Sequence, residues 1–465
     1  MSRTFKTVDY QATLEVSIRL GDLLPPEHLA RFVVDTISQL DLSAIYARYG
    51  VRGGEPYAPE TLLGLLFYGY ATGVFSSRKI ERATYESVPF RFIAGNRHPD
   101  HDTLANFRKS FLAEIKGLFV EILLLARLTG VLQLGRISFD GTKIHADASR
   151  SHAVSYRRLG EIEQQLAAEV EELFALGERA EQEELPDGLV VDDEIALRQA
   201  RLERLAEAKA VLEARAKERY AREQADYEAK VREREEKAKE SGRKPGGRPP
   251  QPPTEGPRDT DQDNFTDPDS RIMKSSTRQG FEQDYNAQVA VEQESLLIVG
   301  ESLSNHPNDQ AEAKPTLESI APHLGDPAAA ALDTGFFSEA NIELFQSRGI
   351  DPYIATGREA HHPSWQERFA AEPAPPPEDA RPKVKMAYKL KTELGKAIDA
   401  ARKFTVEPVI GIIKEVLGFR QFSLRGEGAA AGEWCLVCLA FNLKRLHRLT
   451  SGRLLSVTLN QVGHG

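Results

Sequence analysis

One stretch of the chain, residues 136–144, reads Arg-Ile-Ser-Phe-Asp-Gly-Thr-Lys-Ile, which alternates apolar with polar side chains and then meets Gly141. This pattern predicts a β-strand that ends at or near Asp140. A second stretch, residues 328–335, reads Ala-Ala-Ala-Ala-Leu-Asp-Thr-Gly and predicts a buried strand that ends on Asp333. Strand ends border the ligand crevice of α/β proteins, so both aspartates are candidate site residues. Taken singly, each is also typical of an aspartate that shapes a turn.

Further strand and helix patterns surround these two strands. Residues 285–291 and 296–302 predict a hairpin that turns at 292–295. Beyond it the patterns predict a helix at about 309–320, a helix at 341–348, a strand at 352–356, a loop over 357–383, and helices at 394–417 and 434–449. The order of these elements predicts an α/β fold, a mixed sheet with helical cover.

Two other regions have helical patterns. Residues 11–130 carry apolar side chains at helical spacing, and Pro59 followed by Glu60 is typical of a helix start. From 157 to 240, Glu, Ala, Lys, Arg and Leu dominate with a break at 185–188, which predicts two long helices in an antiparallel hairpin. Residues 241–262 are rich in Pro and Gly and predict a flexible or polyproline-like linker.

These patterns divide the chain into segments. The predicted segments are an all-α N-terminal domain (1–130), the first part of the α/β domain (131–156), the charged helical hairpin with its linker (157–262), the remainder of the α/β domain (263–450) and a C-terminal tail (451–465). The hairpin thus interrupts the α/β domain as an insertion.

Composition excludes several classes of protein. With 41% apolar and 28% charged residues, the chain is typical of globular proteins, and no apolar run approaches the ~20 residues of a membrane span. Two cysteines cannot frame a disulfide scaffold, so we expect a reducing cytoplasm. Residues 157–262 carry 20 Lys and Arg against 27 Asp and Glu, so most of the net charge of −10 lies there. Basic clusters elsewhere leave nucleic acid open as a partner.

A third acid, Glu407, lies in the predicted helix at 394–417, and Lys414 follows seven residues later on the same expected helix face. Three carboxylates from two strand ends and a helix suit Mg²⁺, and two such ions can act on both sides of a phosphate. Asp147, Asp284 and Asp309 compete for a place in this set. For them the alternatives are a polar strand residue, as at Asp284, and a helix N-terminus, as at Asp309.

Two other patterns favour structural roles. Cys435 and Cys438 lie two residues apart in an apolar helix, without a second pair at zinc spacing, which favours core packing. His98 and His101 flank a Pro-Asp turn and more often shape such a turn than bind a metal.

Several motifs resemble those of the DDE transposases of bacterial insertion sequences, whose ribonuclease H-like catalytic fold is shared with retroviral integrases. The motifs are Leu65–Arg82, His98–Arg108, Phe139–Lys143, Leu332–Glu339 and Val406–Gly411 with Lys414, so that the resemblance covers about 70–450 outside the insertion. By this likeness Asp140, Asp333 and Glu407 form the catalytic, metal-binding triad. A related signature has Tyr and Arg seven and four residues before the glutamate, where this chain has Ala400 and Lys403.

The resemblance implies an enzyme that binds the ends of its mobile element, cleaves phosphodiester bonds and joins 3′ hydroxyls to target DNA with two Mg²⁺ or Mn²⁺ ions. We expect a homodimer or larger assembly, associated with the nucleoid. The expected DNA contacts are Arg78, Lys79, Arg97, Arg108, Arg402, Lys403, Lys414, Arg420 and Arg425. Two alternatives stay open, a hydrolysis-only nuclease of the same fold and a catalytically inactive DNA-binding relative.

Overall fold

The computed structural model describes residues 18–50, 54–179, 189–241, 249–274, 280–357 and 374–451. The chain divides into two compact units, here called unit 1 (Met1–Ile144 with Asn286–Gly465) and unit 2 (His145–Tyr285). Within the described ranges, no helix combines the length and the apolar character needed to span a membrane. The predicted break at 185–188 and most of the predicted tail lie outside these ranges.

The helices and strands are numbered in chain order. The helices are α1 (Leu29–Ile37), α2 (Ser43–Tyr46), α3 (Pro59–Ala71), α4 (Ser77–Glu86), α5 (Val88–Ile93), α6 (His101–Ser110), α7 (Leu112–Leu128), α8 (Tyr156–Arg179), α9 (Val191–Ser241), α10 (Ala313–Glu318), α11 (Glu339–Ser347), α12 (Pro382–Lys389), α13 (Glu393–Gly411) and α14 (Glu427–Leu449). The strands are β1 (Arg136–His145), β2 (Ala153–Ser155), β3 (Gln262–Asn264), β4 (Arg271–Lys274), β5 (Phe281–Glu292), β6 (Ile298–Ser304), β7 (Ala329–Leu332) and β8 (Asp351–Ile354).

The core of unit 1 joins its N-terminal helices to the long helix α14. Helix α3 begins at Pro59, as predicted, with Glu60 in its first turn, and its apolar residues are buried on all sides. Helix α14 packs against α3, α7 and β6. A fully buried residue of α14, Trp434, donates its indole N–H to the carbonyl of Gln288 in β5 at 3.0 Å. The helices before the sheet therefore share one core with it.

The main sheet combines both kinds of strand pairing. Strands β5 and β6 form an antiparallel hairpin, whereas β1, β7 and β8 are parallel neighbours. Strand β5 lies next to β1, so the unit 1 part of the sheet has the order β6-β5-β1-β7-β8. Helices follow β7 and β8 along the chain, as parallel connections require. The predicted mixed α/β fold is therefore confirmed.

Strand β1 does not end at Asp140, and this part of the prediction is wrong. The strand continues to His145, with Thr142 and Ile144 buried. Gly141 is needed for close packing rather than for a turn, because a Cβ atom on it would lie 2.2 Å from Nε2 of the Gln288 side chain. A glycine within a strand often marks such a close approach.

Unit 2 contains an antiparallel helical hairpin. Helices α8 and α9 meet along an apolar seam that includes Leu159 and Leu166 of α8 and Leu205 and Leu212 of α9. The pairs Lys209–Glu163, at 2.7 Å, and Arg198–Glu169, at 2.7 Å, flank the seam; residues further along α9 pair with residues nearer the start of α8. The two helices therefore run in opposite directions.

The segment after α9 packs back onto that helix where it is described. Arg219 of α9 donates to Asp261 Oδ2 at 2.8 Å and to the carbonyl of Gly256 at 3.1 Å. Strand β3 then pairs with β2 in antiparallel register. Residues 256–261 are thus held by contacts to α9, where the Pro and Gly content predicted a flexible or polyproline-like linker, because Arg219 supplies partners that the composition does not show.

Candidate active site

Two of the three predicted catalytic acids lie side by side in unit 1. Strands β1 and β7 are parallel neighbours, and the last pair in their register is Phe139 with Leu332. Asp140 and Asp333 each directly follow a member of that pair, so the sheet itself sets their positions. The segment after Asp333 turns away from the sheet in a short 3-10 helix, Thr334–Phe336.

Helix α13 places a guanidinium group at these acids. Arg402 is 6% exposed, and its Nη2 lies 3.3 Å from Asp333 Oδ1, while its Nε lies 3.6 Å from Asp399 Oδ1. One turn further along α13, Thr405 Oγ1 donates to Ser138 Oγ of β1 at 2.9 Å. This contact anchors the helix to the strand that carries Asp140.

The environment of Asp140 disfavours its charged form. The pKa of Asp140 is raised to about 7, mainly by burial and in smaller part by the charges of Asp333 and Asp309, against the lowering effects of the Gly141 N–H and of Arg402. The Gly141 amide donates to Asp140 Oδ1 at 2.8 Å. The site therefore holds more negative charge than its own cations balance.

Asp309 lies near Asp140, in a segment that helix patterns alone assign to a helix N-terminus. Its Oδ1 accepts hydrogen bonds from Asn286 Nδ2 and from Gln288 Nε2, both at 2.8 Å. Lys143 Nζ lies 3.5 Å from the same oxygen. Helix α10 begins only at Ala313, so the segment around Asp309 is a loop against β5. The sequence signal for these contacts was the alternation Asn-Ala-Gln in β5, since it puts the amides of Asn286 and Gln288 on one face of the strand.

Glu407 is not gathered with the two aspartates. Its side chain is exposed on α13, and among the described residues no three or more His, Cys, Asp or Glu side chains are grouped so that they could hold a metal ion. A catalytic role of Glu407 stays a prediction.

Lys414 does not share the exposed face of Glu407, in contrast to the prediction. A π-helical turn, Ile412–Val416, follows α13 and changes the angular spacing of the side chains. Lys414 Nζ donates to Thr142 Oγ1 at 3.0 Å and to the carbonyl of Lys143 at 3.1 Å. The lysine therefore fixes the end of this helical segment to β1.

The paired aspartates fit a divalent cation, and two features of the structure support this. Oxygen donors of this type suit Mg²⁺ and Mn²⁺, and the pKa of Asp140 is raised mainly by burial and in smaller part by the charges of Asp333 and Asp309, both of which a bound cation would offset. In addition, Oε1 of the fully buried Gln288, which packs on Gly141, has no hydrogen-bond partner among the described residues.

The predicted DNA contacts differ in exposure. Arg78, Lys79 and Arg97 are exposed in the N-terminal helical region, and Lys403, Arg420 and Arg425 are exposed in the C-terminal one. Arg420 pairs with Glu415, and Lys403 Nζ lies 3.9 Å from Asp399. Of the other predicted contacts, Arg402 and Arg108 are buried, and Lys414 is half-buried.

Arg108 has a structural role, which corrects its assignment as a DNA contact. It is 6% exposed, and its Nη1 donates to the Tyr70 hydroxyl at 2.6 Å and lies 3.5 Å from Glu433 Oε1. Its guanidinium is enclosed because a carboxylate 325 residues away in the sequence packs beside it. DNA cannot reach it without opening this core.

The weaker candidates for metal ligands take part in packing. His98 stacks on Tyr85, and His101 Nδ1 lies 2.8 Å from Glu81 Oε2. Cys435 and Cys438 are buried free thiols in α14. In unit 2, Asp284 pairs with His145 Nδ1 at 2.6 Å and so has its own partner there.

Comparison with known families adds two matches. Residues 18–110 match the family model Transposase domain (DUF772), and residues 377–447 match the model Transposase DDE domain. The first match covers the helices up to α6, and the second covers α12, α13 and most of α14. No curated protein and no solved structure matches the chain.

Proposed function

We propose that this chain cleaves the ends of its mobile element and joins the freed 3′ hydroxyls to target DNA. The chain carries two transposase domains, and its predicted resemblance to the DDE transposases is confirmed. One observation carries the proposal. Asp140 and Asp333 directly follow a register pair of two parallel strands, which brings two oxygen-rich side chains to one place. A Thr–Ser contact anchors α13, which carries Glu407, to the first of these strands.

We further propose that the sheet is that of a ribonuclease H-like domain. Support comes from the hairpin β5–β6, from the parallel set β1-β7-β8 and from the acids at neighbouring positions of β1 and β7. On this proposal unit 2, with its helical hairpin, is an insertion between β1 and the second half of β5.

The proposed chemistry depends on divalent ions, Mg²⁺ or Mn²⁺, as in DDE transposases generally. Asp140 and Asp333 would hold an ion, and Glu407 is the predicted third ligand from α13. Bound metal supplies an activated water or hydroxyl nucleophile and stabilises the leaving oxygen of the phosphodiester. Arg402 sets the position of Asp333 through the 3.3 Å ion pair, and Lys414 fixes the π-helical turn after α13 to β1.

DNA is the proposed partner. The exposed basic side chains on α4 and before α6, Arg78, Lys79 and Arg97, would contact the element ends, and Lys403, Arg420 and Arg425 would contact phosphates near the acids. Two element ends must be held together for joining, so we propose at least a homodimer. The DNA substrate places the protein in the bacterial cytoplasm with the nucleoid.

The test is Asp333→Asn, which keeps the shape of the side chain and removes its charge. Substitution of a residue outside the ligand shell of a metal typically lowers activity by roughly 10–100-fold. We expect Asp333→Asn to lower cleavage and joining by more than this, while DNA binding is retained. The substrate is a plasmid in which the DNA that flanks the gene brackets a resistance marker. Asp326→Asn is the matched control, since Asp326 pairs with Arg348 at 2.6 Å elsewhere in unit 1.

Three results would contradict the proposal. Full cleavage activity in the Asp333→Asn variant would show that this aspartate takes no part in the reaction. Cleavage by the unaltered protein without any joined product, scored by sequencing target junctions, favours the hydrolysis-only nuclease. Loss of DNA binding in Asp333→Asn, with the control unaffected, assigns Asp333 to folding or binding instead.

A further inference from the structure

We propose that a cavity in unit 1, which has the buried carboxylate of Glu301 in its wall, binds a small organic ammonium ion with an apolar body. The cavity lies between the start of α7, the start of α14, strand β6 and helix α10. Strand β5 separates β6 from β1, the strand of Asp140. The inference therefore concerns another part of unit 1 and goes beyond the proposed function.

The size and the walls of the cavity suit a small molecule. Its volume is about 590 Å³. Small-molecule sites usually enclose roughly 300–1,000 Å³ and combine apolar walls with a few polar groups. The apolar part of this wall consists of Leu112, Ala113, Leu303, Pro315 and Ala431.

The serine hydroxyls of the wall are already engaged within the protein. The hydroxyls of Ser302 and Thr316 share a hydrogen bond at 2.7 Å. Ser319 Oγ accepts from the backbone N–H of Glu301 at 2.8 Å and donates to the carbonyl of Thr316 at 2.7 Å. The carboxylate of Glu301 is therefore the buried polar group that a ligand in the cavity could use.

Glu301 is buried with little compensation for its charge. It is 5% exposed, whereas glutamates are almost never fully buried unless they are paired. The side-chain hydrogen bond that the described residues offer it comes from the Cys435 thiol, a weak donor. Burial raises the pKa of Glu301 to about 7, against the lowering effects of the Lys116 charge and of this hydrogen bond. A cationic donor in the cavity would stabilise the charged carboxylate.

The charges of the wall favour an organic cation. Two acids, Glu301 and Glu318, and one base, Lys116, line the cavity. Among the described residues, no three or more His, Cys, Asp or Glu side chains are grouped so that they could hold a metal ion. An ammonium head matches the carboxylate, and an apolar body matches the rest of the wall.

The experiment measures binding of hexylammonium to the full chain without DNA, by ligand-observed nuclear magnetic resonance at pH 8. Hexanol is the neutral analogue, and we expect it to bind more weakly than hexylammonium. Glu301→Gln keeps the shape of the side chain and removes its charge. We expect this variant to raise the Kd for hexylammonium by about 10–150-fold, the range for a hydrogen bond to a charged group.

The pH dependence identifies the group that binds the ligand. Hexylammonium keeps its charge at pH 6 and pH 8, as a lysine with a pKa of about 10.4 does. Because the pKa of Glu301 is about 7, the Kd of the unaltered chain should rise about tenfold from pH 8 to pH 6. The other titratable side chains of the wall, Lys116, Glu318 and Cys435, remain in Glu301→Gln. The rise should therefore be absent from this variant.

Two glycine variants test the location. Gly428 lines the cavity, and a Cβ atom on it would meet nothing within 4 Å, so a leucine there would occupy part of the cavity. Gly117→Leu in α7 is the matched control, because a Cβ atom on Gly117 also meets nothing within 4 Å and Gly117 does not line the cavity. We expect Gly428→Leu to abolish hexylammonium binding and Gly117→Leu to leave the Kd unchanged.

Thermal unfolding checks that each variant is folded. The inference is overturned if hexylammonium does not bind the unaltered chain at pH 8, if hexanol binds as tightly, or if Glu301→Gln leaves the Kd unchanged. If Glu301→Gln does not fold, the glycine variants decide: equal Kd values in Gly428→Leu and Gly117→Leu overturn the inference. None of these results concerns DNA cleavage, so the proposed function is tested separately by Asp333→Asn.

Discussion

The buried carboxylate of Glu433 allows a sharp test of how unit 1 is held together. Glu433 lies in α14 with 0% exposure, and Tyr70 donates to its Oε1 at 2.8 Å. The backbone amides of Ser423 and Leu424 donate to its Oε2 at 2.8 and 3.0 Å. Arg108 supplies the positive charge. The group thus ties α3, α6 and the segment before α14 to one side chain.

Glu433→Gln keeps the shape of this side chain and removes its charge. Breaking a buried ion pair at one partner typically costs about 3–5 kcal/mol, because the other charge stays buried without compensation. Glutamine retains one acceptor oxygen for part of the network, so we expect a loss near the lower end, about 3 kcal/mol. Arg108→Met should cost a similar amount, since it leaves Glu433 as the uncompensated charge.

The assay is urea unfolding followed by fluorescence of Trp434, one residue after Glu433, in a Trp365→Phe background that leaves one tryptophan. We expect the double variant, Arg108→Met with Glu433→Gln, to lose less free energy of unfolding than the sum of the single losses, by about 1–3 kcal/mol. Losses below about 1 kcal/mol in both single variants, or additive losses in the double variant, would refute the assignment of a buried ion pair.

Two further predictions concern β1. Burial raises the folded-state pKa of Asp140 from its ordinary value of 3.8 to about 7, so ionisation of this group lowers stability as pH rises through that window. Without metal, Asp140→Asn should therefore gain more free energy of unfolding over the unaltered chain at pH 8 than at pH 5, and a gain that is equal at both pH values would contradict the shift. Gly141→Ala should lose about 1–3 kcal/mol in urea unfolding, because its Cβ would lie 2.2 Å from the Gln288 amide. Gly117→Ala in α7 is the control, since a Cβ there meets nothing within 4 Å, and an equal loss in both variants would point to a general effect of alanine.

Local patterns predicted much of the fold because the responsible interactions are local. The alternation and turn of 285–302 indicate the hairpin β5–β6, and the composition of 157–240 indicates two long helices. Pro59 marks the first residue of α3 since proline is suited to the first helical position. Asp140 follows an alternating run and Asp333 follows an apolar run, and each run predicts a strand, so the proximity of the two aspartates follows once the strands pair in parallel.

The remaining features depend on residues far apart in the sequence. Gly141 looks like a turn glycine until Gln288 packs on it from β5. Arg108 looks like one of several exposed bases until Glu433 provides a buried counter-ion. Asp309 looks like a helix cap, but the amides of Asn286 and Gln288 hold it against β5. In each case one residue type is compatible with two environments, and only the tertiary fold selects between them.

The same distinction applies to the acids of the site. Asp140 and Asp333 are set by the hydrogen-bonded register of two parallel strands, and Asp309 is set by two amide donors, so the backbone or a fixed network determines where these carboxylates lie. Glu407 is set only by its place on the exposed side of α13, from which its side chain can take several rotamers. A motif in the sequence indicates Glu407, whereas the contacts of Asp309 depend on packing. On the proposed function, Asp140 and Asp333 are therefore the preorganised acids, and a contribution of Glu407 requires a change of rotamer or of helix position when substrate or metal binds.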